Sequence, residues 1–319
     1  MNKALVISAV ALTALVGKSD VVANNVVGYM NKDTYSSLYT MVTPAFQNVG
    51  KTTYSLYDLK GGGYEASKPN TAARPRWTGG CTIGTFEIEV LTNAGIPDTT
   101  YLGGGKYFWA DAKTGFVDAT VPWGPGWYVE GDTAGQYVAL TDEEAKSITF
   151  ELGQAFWVSA GAKTLVSSGE VSKNDLEVET NVQLYTAIGN GIPVDMTLAD
   201  LTGGGYEASK PNTAARPRWT GGCTIGTFEV EILNNSGTPD TTLLGGGKYF
   251  WADAKTGFVD ATVPWGPGWY IEGETAGQYV ALTKEQAQQI PIPAGQGLWV
   301  SAGGKTLIFP SPLADHEAK

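Results

Sequence analysis

Residues 61–90, GGGYEASKPNTAARPRWTGGCTIGTFEIEV, occur twice in this chain. Residues 203–232 repeat them with two changes, Val230 in place of Ile88 and Ile232 in place of Val90. Within this stretch Thr82 to Val90 is the best strand of the unit. Phe86, Ile88 and Val90 fall on one side and Glu87 and Glu89 on the other, the period-2 pattern of a half-buried strand. The preceding Gly61 to Gly80 holds three clusters of chain breakers with Pro69 and Pro75, and reads as a long ordered loop.

Working outward, Gly103 to Leu140 recurs from Gly245 to Leu282, changed only at Val129 (Ile271) and Asp132 (Glu274). The spacing is 142 residues in both blocks, so the duplicated unit is a whole domain. The remainder of each unit is short strands and turns. Lys106 to Ala110 and Phe116 to Ala119 read as a hairpin around Asp111 to Gly115. Trp127 to Glu130 follows a tight Gly-Pro-Gly turn. Thr141-Asp142-Glu143-Glu144 and Thr283-Lys284-Glu285-Gln286 open short helices with the capping-box pattern. Each is followed by a strand pair, Ile148 to Ser159 with Lys163 to Val166, and Ile290 to Ser301 with Lys305 to Phe309. Val26 to Lys32 reads as a first strand whose counterpart is Ser168 to Lys173. The expectation is an all-β chain of two tandem homologous antiparallel β-sandwich or flattened-barrel domains, with one short helix each. The boundaries are a signal peptide at 1–23, repeats at 24–166 and 167–309, and a polar tail at 310–319.

The formal charge of −11 over 319 residues argues against nucleic acid or an anionic membrane as partner. Lys3 followed by the apolar run Ala4 to Gly17, with Val21 and Ala23 at the −3 and −1 positions, is a secretory leader cleaved before Asn24. That run is short of the ~20 residues a bilayer-spanning helix needs, so no membrane insertion is expected after cleavage. The two cysteines, Cys81 and Cys223, are equivalent positions one repeat apart. A bridge between repeats, a bridge between molecules and two buried thiols all remain open.

Chemistry is scarce. His316, in the tail, is the sole histidine, which removes Ser-His-Asp and Cys-His arrangements and any zinc ligand set. GGGK at 103–106 and 245–248 lacks the P-loop spacing. Asp111 and Asp118 lack the alternating pattern of a calcium loop, and no cofactor is expected. The one enzymatic pattern is the carboxylate pair Glu87/Glu89 with its copy Glu229/Glu231, approachable by Glu130 or Asp132, as a glycoside hydrolase would need. The plainer reading is the solvated face of an amphipathic strand.

Aromatic and basic residues carry more. Trp109 and Trp157 lie in apolar strands and read as core. Trp77 and Trp123, with their copies Trp219 and Trp265, sit in turn contexts where a ring can face a sugar. Lys68, Arg74 and Arg76 beside Trp77, and Lys210, Arg216 and Arg218 beside Trp219, are basic clusters in an acidic protein with the composition of a protein–protein hot spot. An acidic patch of another copy, such as Glu87, Glu89, Glu130 or Asp132, would complement them in a heterologous contact.

Asn25-Val26-Val27-Gly28-Tyr29-Met30-Asn31 after a leader resembles the mature start of a group of uncharacterised exported bacterial proteins with tandem β-rich repeats. Leu152 to Val158, Thr164-Leu165 and Gly169-Glu170-Val171 are similar to their repeat-closing pattern PGxGFWV…TL…GEV, as is Pro293 to Val300. Tyr185 to Pro193 resembles their NLIGNPYP strand. The resemblance implies an exported β-repeat protein and no particular activity. Taken together, the expectation is a secreted or cell-surface, non-enzymatic structural or adhesive protein that associates with itself through its Arg/Trp loops. The alternative is a bivalent binder of an extracellular polysaccharide.

Overall fold

The structure is a computed structural model. It describes residues 27–35, 39–46, 53–59, 76–77, 86–92, 95–110, 126–133, 135–159, 164–183, 185–201, 218–219, 228–234, 237–252, 268–301, 303–309, 311 and 313. For 27, 29, 31, 76–77, 164–168, 218–219 and 308 it describes the backbone alone. The expected leader, the expected loop at 61–75 and its copy, Cys81, Cys223, the 111–119 segment and His316 lie outside the described residues.

The first repeat runs β1 (Val27–Asp33), β2 (Thr40–Val42), β3 (Thr53–Ser55), β4 (Arg76–Trp77), β5 (Glu87–Glu89), β6 (Lys106–Ala110), β7 (Gly126–Glu130), β8 (Tyr137–Ala139), α1 (Asp142–Ser147), β9 (Thr149–Glu151), β10 (Phe156–Ser159) and β11 (Thr164–Glu170). The second runs β12 (Leu176–Glu179), β13 (Thr186–Gly189), β14 (Met196–Thr197), β15 (Arg218–Trp219), β16 (Glu229–Glu231), β17 (Lys248–Ala252), β18 (Gly268–Glu272), β19 (Tyr279–Ala281), α2 (Lys284–Gln288), β20 (Pro291–Ile292), β21 (Gly297–Ser301) and β22 (Thr306–Phe309). Each repeat has a six-stranded antiparallel sheet, β2-β10-β5-β6-β7-β8 or β13-β21-β16-β17-β18-β19, and a three-stranded one, β1-β11-β4 or β12-β22-β15. A two-stranded ladder, β3-β9 or β14-β20, completes each unit.

The large sheet buries one face as its sequence alternation requires. Phe86, Ile88 and Val90 are fully buried, and with Tyr107, Trp109 and Trp127 they pack against Tyr54, Phe150 and Ala145 from β3, β9 and α1. In the second repeat Leu307 and Phe309 of β22 join the same layer. Two buried indole N–H groups are satisfied: Trp127 Nε1 donates to the Leu59 carbonyl at 2.7 Å, and Trp269 Nε1 to that of Leu201 at 2.8 Å. The result is an all-β pair of sandwich-like units whose large sheets stay open at β8 and β19 rather than closing into barrels. Both helices carry the expected capping boxes, Thr141 with Glu144 and Thr283 with Gln286. Among the described residues no helix is long and apolar enough to cross a membrane.

Three expectations change. β6 pairs with β7, through Phe108 to Tyr128 and Trp109 to Trp127, so Lys106–Ala110 takes a partner further along the chain than 116–119. The stretch 148–159 is broken at Leu152–Ala155 into β9 and β10, which belong to different sheets, because Gly153 adopts a left-handed conformation there (φ 84). The counterpart of β1 is β12, not Ser168 to Lys173. β1 sets Lys32 opposite Leu165 and β12 sets Val178 opposite Leu307, equivalent leucines one repeat apart. Ser168 to Glu170 is the end of β11, which runs past residue 166.

The repeats contact each other reciprocally about a local two-fold. Val42 bridges to Gln296, and the equivalent Ile188 bridges to Gln154. Thr43 N donates to the Gly295 carbonyl at 3.1 Å, and Gly189 N to that of Gly153 at 2.8 Å. Equivalent residues meet on the axis: the Trp157 and Trp299 rings lie 6.5 Å apart edge-on, and Thr43 faces Gly189. Gly95 lies under Trp299 and Gly237 under Trp157. Buried clusters around Met41, Leu91, Trp157 and Leu233, and around Met30, Phe46 and Ala294, draw on both repeats. Trp157 is therefore seam rather than core, on the opposite face of the sheet from Trp109.

Candidate functional site

Arg76 and Trp77 form β4, whose backbone pairs with Val166 and Leu165 at the edge of the three-stranded sheet. Arg218 and Trp219 do the same on β22. Each Arg/Trp cluster is thus fixed at its C-terminal end to a sheet edge, at equivalent places in the two repeats. Lys68, Arg74, Trp123, Lys210, Arg216 and Trp265 lie outside the described residues.

The paired glutamates sit on the outer face of the large sheet, and they are not a solvated stripe. Lys106, directly across from Glu89, reaches that carboxylate at 2.5 Å and Glu87 at 3.5 Å. Lys248 repeats this with Glu231 at 2.5 Å and Glu229 at 3.4 Å. The carboxylates are only 12–16% exposed. Burial pushes the Glu87 carboxyl above the ordinary range, reinforced by its hydrogen bond with Glu89, and burial does the same to Glu229. Tyr185 donates its hydroxyl to Glu229 at 3.0 Å. Glu130 makes no ion pair with Lys106: its carboxylate accepts from the Gly135 amide in a turn, as Glu272 does from Gly277. A single ammonium between two half-buried carboxylates offsets one of their two charges. It also weakens Glu87 and Glu89 as the acidic patch expected to meet the Arg/Trp clusters.

The two-fold seam creates two further features, a pair of equivalent clefts. The first, about 420 Å³, lies between Lys32 to Tyr35 of the first repeat and Leu233, Asp240 and Gln296 of the second. The second, about 480 Å³, lies between Leu91, Glu151 and Gln154 of the first repeat and Glu177 to Glu179 of the second. Both fall within the range of roughly 300–1,000 Å³ usual for small-molecule sites. Lys32 Nζ donates to Gln296 Oε1 at 2.7 Å. Burial in the cleft lowers its pKa to about 8, against the weaker opposing pull of Asp195 and Asp33. In the second cleft Val178 holds the equivalent position, and the charged lining residues are Glu151, Glu177 and Glu179. The sequence signal for Lys32 was present: it shares the strand face of buried Met30, and a charge there stands out once β1 is aligned with Leu176–Glu179.

Among the described residues no group of three His, Cys, Asp or Glu side chains could hold a metal ion. Comparison with family models, with curated proteins and with solved structures finds no match to this chain.

Proposed function

We propose that this is an exported, non-enzymatic structural or adhesive protein of the cell surface or extracellular matrix, which associates with further copies of itself through the duplicated Arg/Trp segments. The observation that supports this reading is the two-fold seam. It joins the repeats into one body, and so holds β4 and β15 at equivalent, fixed positions on two sides of the chain. A body with two identical sticky segments can join two neighbours, and repeated heterologous contacts extend into chains or sheets. The leader and the resemblance of the repeat edges to exported tandem β-repeat proteins support the location. The ion-paired state of the glutamates supports a non-catalytic role.

The reading is tested by size-exclusion chromatography and negative-stain microscopy over a range of protein and salt concentrations. Assemblies that weaken with salt, and that disappear in the double variant Arg74→Glu plus Arg216→Glu, are expected. A monomer at every concentration, unchanged by those substitutions, overturns it.

A further inference from the structure

We propose that the cleft at Lys32 is a binding site for an acidic sugar, a uronic acid unit whose carboxylate pairs with the Lys32 ammonium. This inference is independent of the Arg/Trp segments. Lys32 extends from β1 into the junction between repeats, where its hydrogen-bond partner is the neutral amide oxygen of Gln296. Among the described residues no carboxylate lies within ion-pairing distance of it; Asp33 and Asp195 act on it only through their longer-range field. An ammonium carries three donors, so one bond to Gln296 leaves others to be directed at a guest. Taking a charge out of water is costly until an opposite charge joins it, and a ligand carboxylate supplies that charge.

The rest of the cleft selects what surrounds the carboxylate. Met41, Leu233, Leu243 and Pro293 form an apolar wall suited to the C–H face of a sugar ring. Asp33 and Asp240 place carboxylates in the lining, where they accept hydrogen bonds from hydroxyls and repel a second anionic group. A single carboxylate among hydroxyls on a compact ring fits these demands. A fatty acid lacks the hydroxyls, and a phosphorylated sugar, at about −1.5 to −2, carries more negative charge than the rim tolerates. The equivalent cleft is an internal control: with Val178 in place of Lys32 and three glutamates in its lining, it offers no cation among the described residues and repels the same ligand. Stoichiometry therefore separates this proposal from bivalent capture by the duplicated loops.

The experiment is calorimetric titration of the full chain with a galacturonic acid disaccharide and, separately, its neutral galactose counterpart. The expected result is one site per chain, with binding weakened roughly tenfold or more by loss of the ligand carboxylate or by Lys32→Met. Arg74→Glu plus Arg216→Glu is expected to leave it unchanged. Equal affinity for the neutral sugar, two sites per chain, unaltered binding to Lys32→Met, or no binding at ligand concentrations up to about 10 mM each overturns the proposal.

Discussion

Two clefts flank one seam, built by equivalent strands under the same local two-fold, and they differ where it matters chemically. Lys32, Met41 and Pro293 line the first at positions that Val178, Ala187 and Glu151 occupy in the second. The long blocks of near-identity, 61–90 and 103–140 with their copies, build the sheets and the ion-paired glutamates alike in both repeats. The differences gather in β1 and β12 and in the segments leading into β10 and β21. Duplication preserved the framework twice, while the residues that could distinguish one ligand from another diverged at the junction. In this molecule the place to look for specificity is where the copies disagree.

The comparison exists only while the seam is closed, so the largest effect should come from forcing it apart. Gly189 faces its own equivalent, Thr43, across the axis, and a Cβ on Gly189 would stand 2.3 Å from the Thr43 Cβ and 2.0 Å from its methyl. Neither Cβ can swing away, because both are fixed to backbone. Gly189→Thr is expected to destabilise the protein by about 3 kcal/mol, the upper end for overpacking. Thr43→Gly in the same chain should restore a large part of that, short of the Thr43 hydroxyl bond to the Gln154 carbonyl. Denaturant melts of the two single variants and the double variant give the coupling. Additive losses would mean that the seam does not pack as described.

That seam was not legible in the sequence, and the reason is physical. Period-2 alternation reports which face of a strand is apolar. It does so faithfully for Phe86, Ile88 and Val90, and the capping boxes announced both helices just as plainly. Trp157 lies between Phe156 and Val158, so its strand is apolar on both faces, and alternation cannot say that one face meets its own core and the other meets the second repeat. The closeness of equivalent residues is a property of how two units dock, which no local pattern encodes. Lys32 was hidden by register: with β1 matched to Ser168–Lys173 a lysine met a lysine, whereas the ladders match it to Val178. Glu87 and Glu89 alternated correctly, but the lysine that half-buries them comes from the neighbouring strand.

The outer-face clusters sharpen the contrast because there the copies agree. Lys106→Met and Lys248→Met each strand two half-buried carboxylates without their cation, and each should cost about 1–2 kcal/mol, between an exposed and a buried pair. The two losses should match, unlike substitutions in the clefts. Glu87 and Glu229 already hold their protons more tightly than ordinary glutamates, so on acidification the folded state takes up protons ahead of the unfolded chain. The lysine holds those pKa values down, so in either variant they rise further and the deficit should shrink as pH falls through the carboxylate range. Urea midpoints of both variants at pH 4.5 and 7 read this directly. Unequal losses, or a deficit that grows in acid, would break the equivalence of the two faces.

The smallest expected effect isolates the one charge that distinguishes the clefts. The lysine pKa is about 8 in the fold against 10.5 for a free lysine, so between those values the unfolded chain binds more protons and stability contributed by this group rises with pH. Below pH 8 the cost of holding the ammonium out of water is fully present; above pH 10.5 it is gone. The groups facing Lys32 are Asp33 from its own strand, Asp195 and Asp240 from the second repeat, and Tyr35 in the lining. Lys32→Met keeps the aliphatic stem and removes the charge, so at pH 7 it should stabilise the protein by on the order of 1 kcal/mol after losing the bond to Gln296. The advantage over the parent chain should fade as pH is raised from 8 toward 10.5. Lys106 and Lys248 titrate in the opposite sense, because their pKa values are raised and their stabilisation is lost only as pH climbs through those higher values. Taking the difference between parent and variant cancels that common loss. A difference that does not change with pH would show that the Lys32 ammonium is solvated, and the two clefts would then be less unlike than their residues imply.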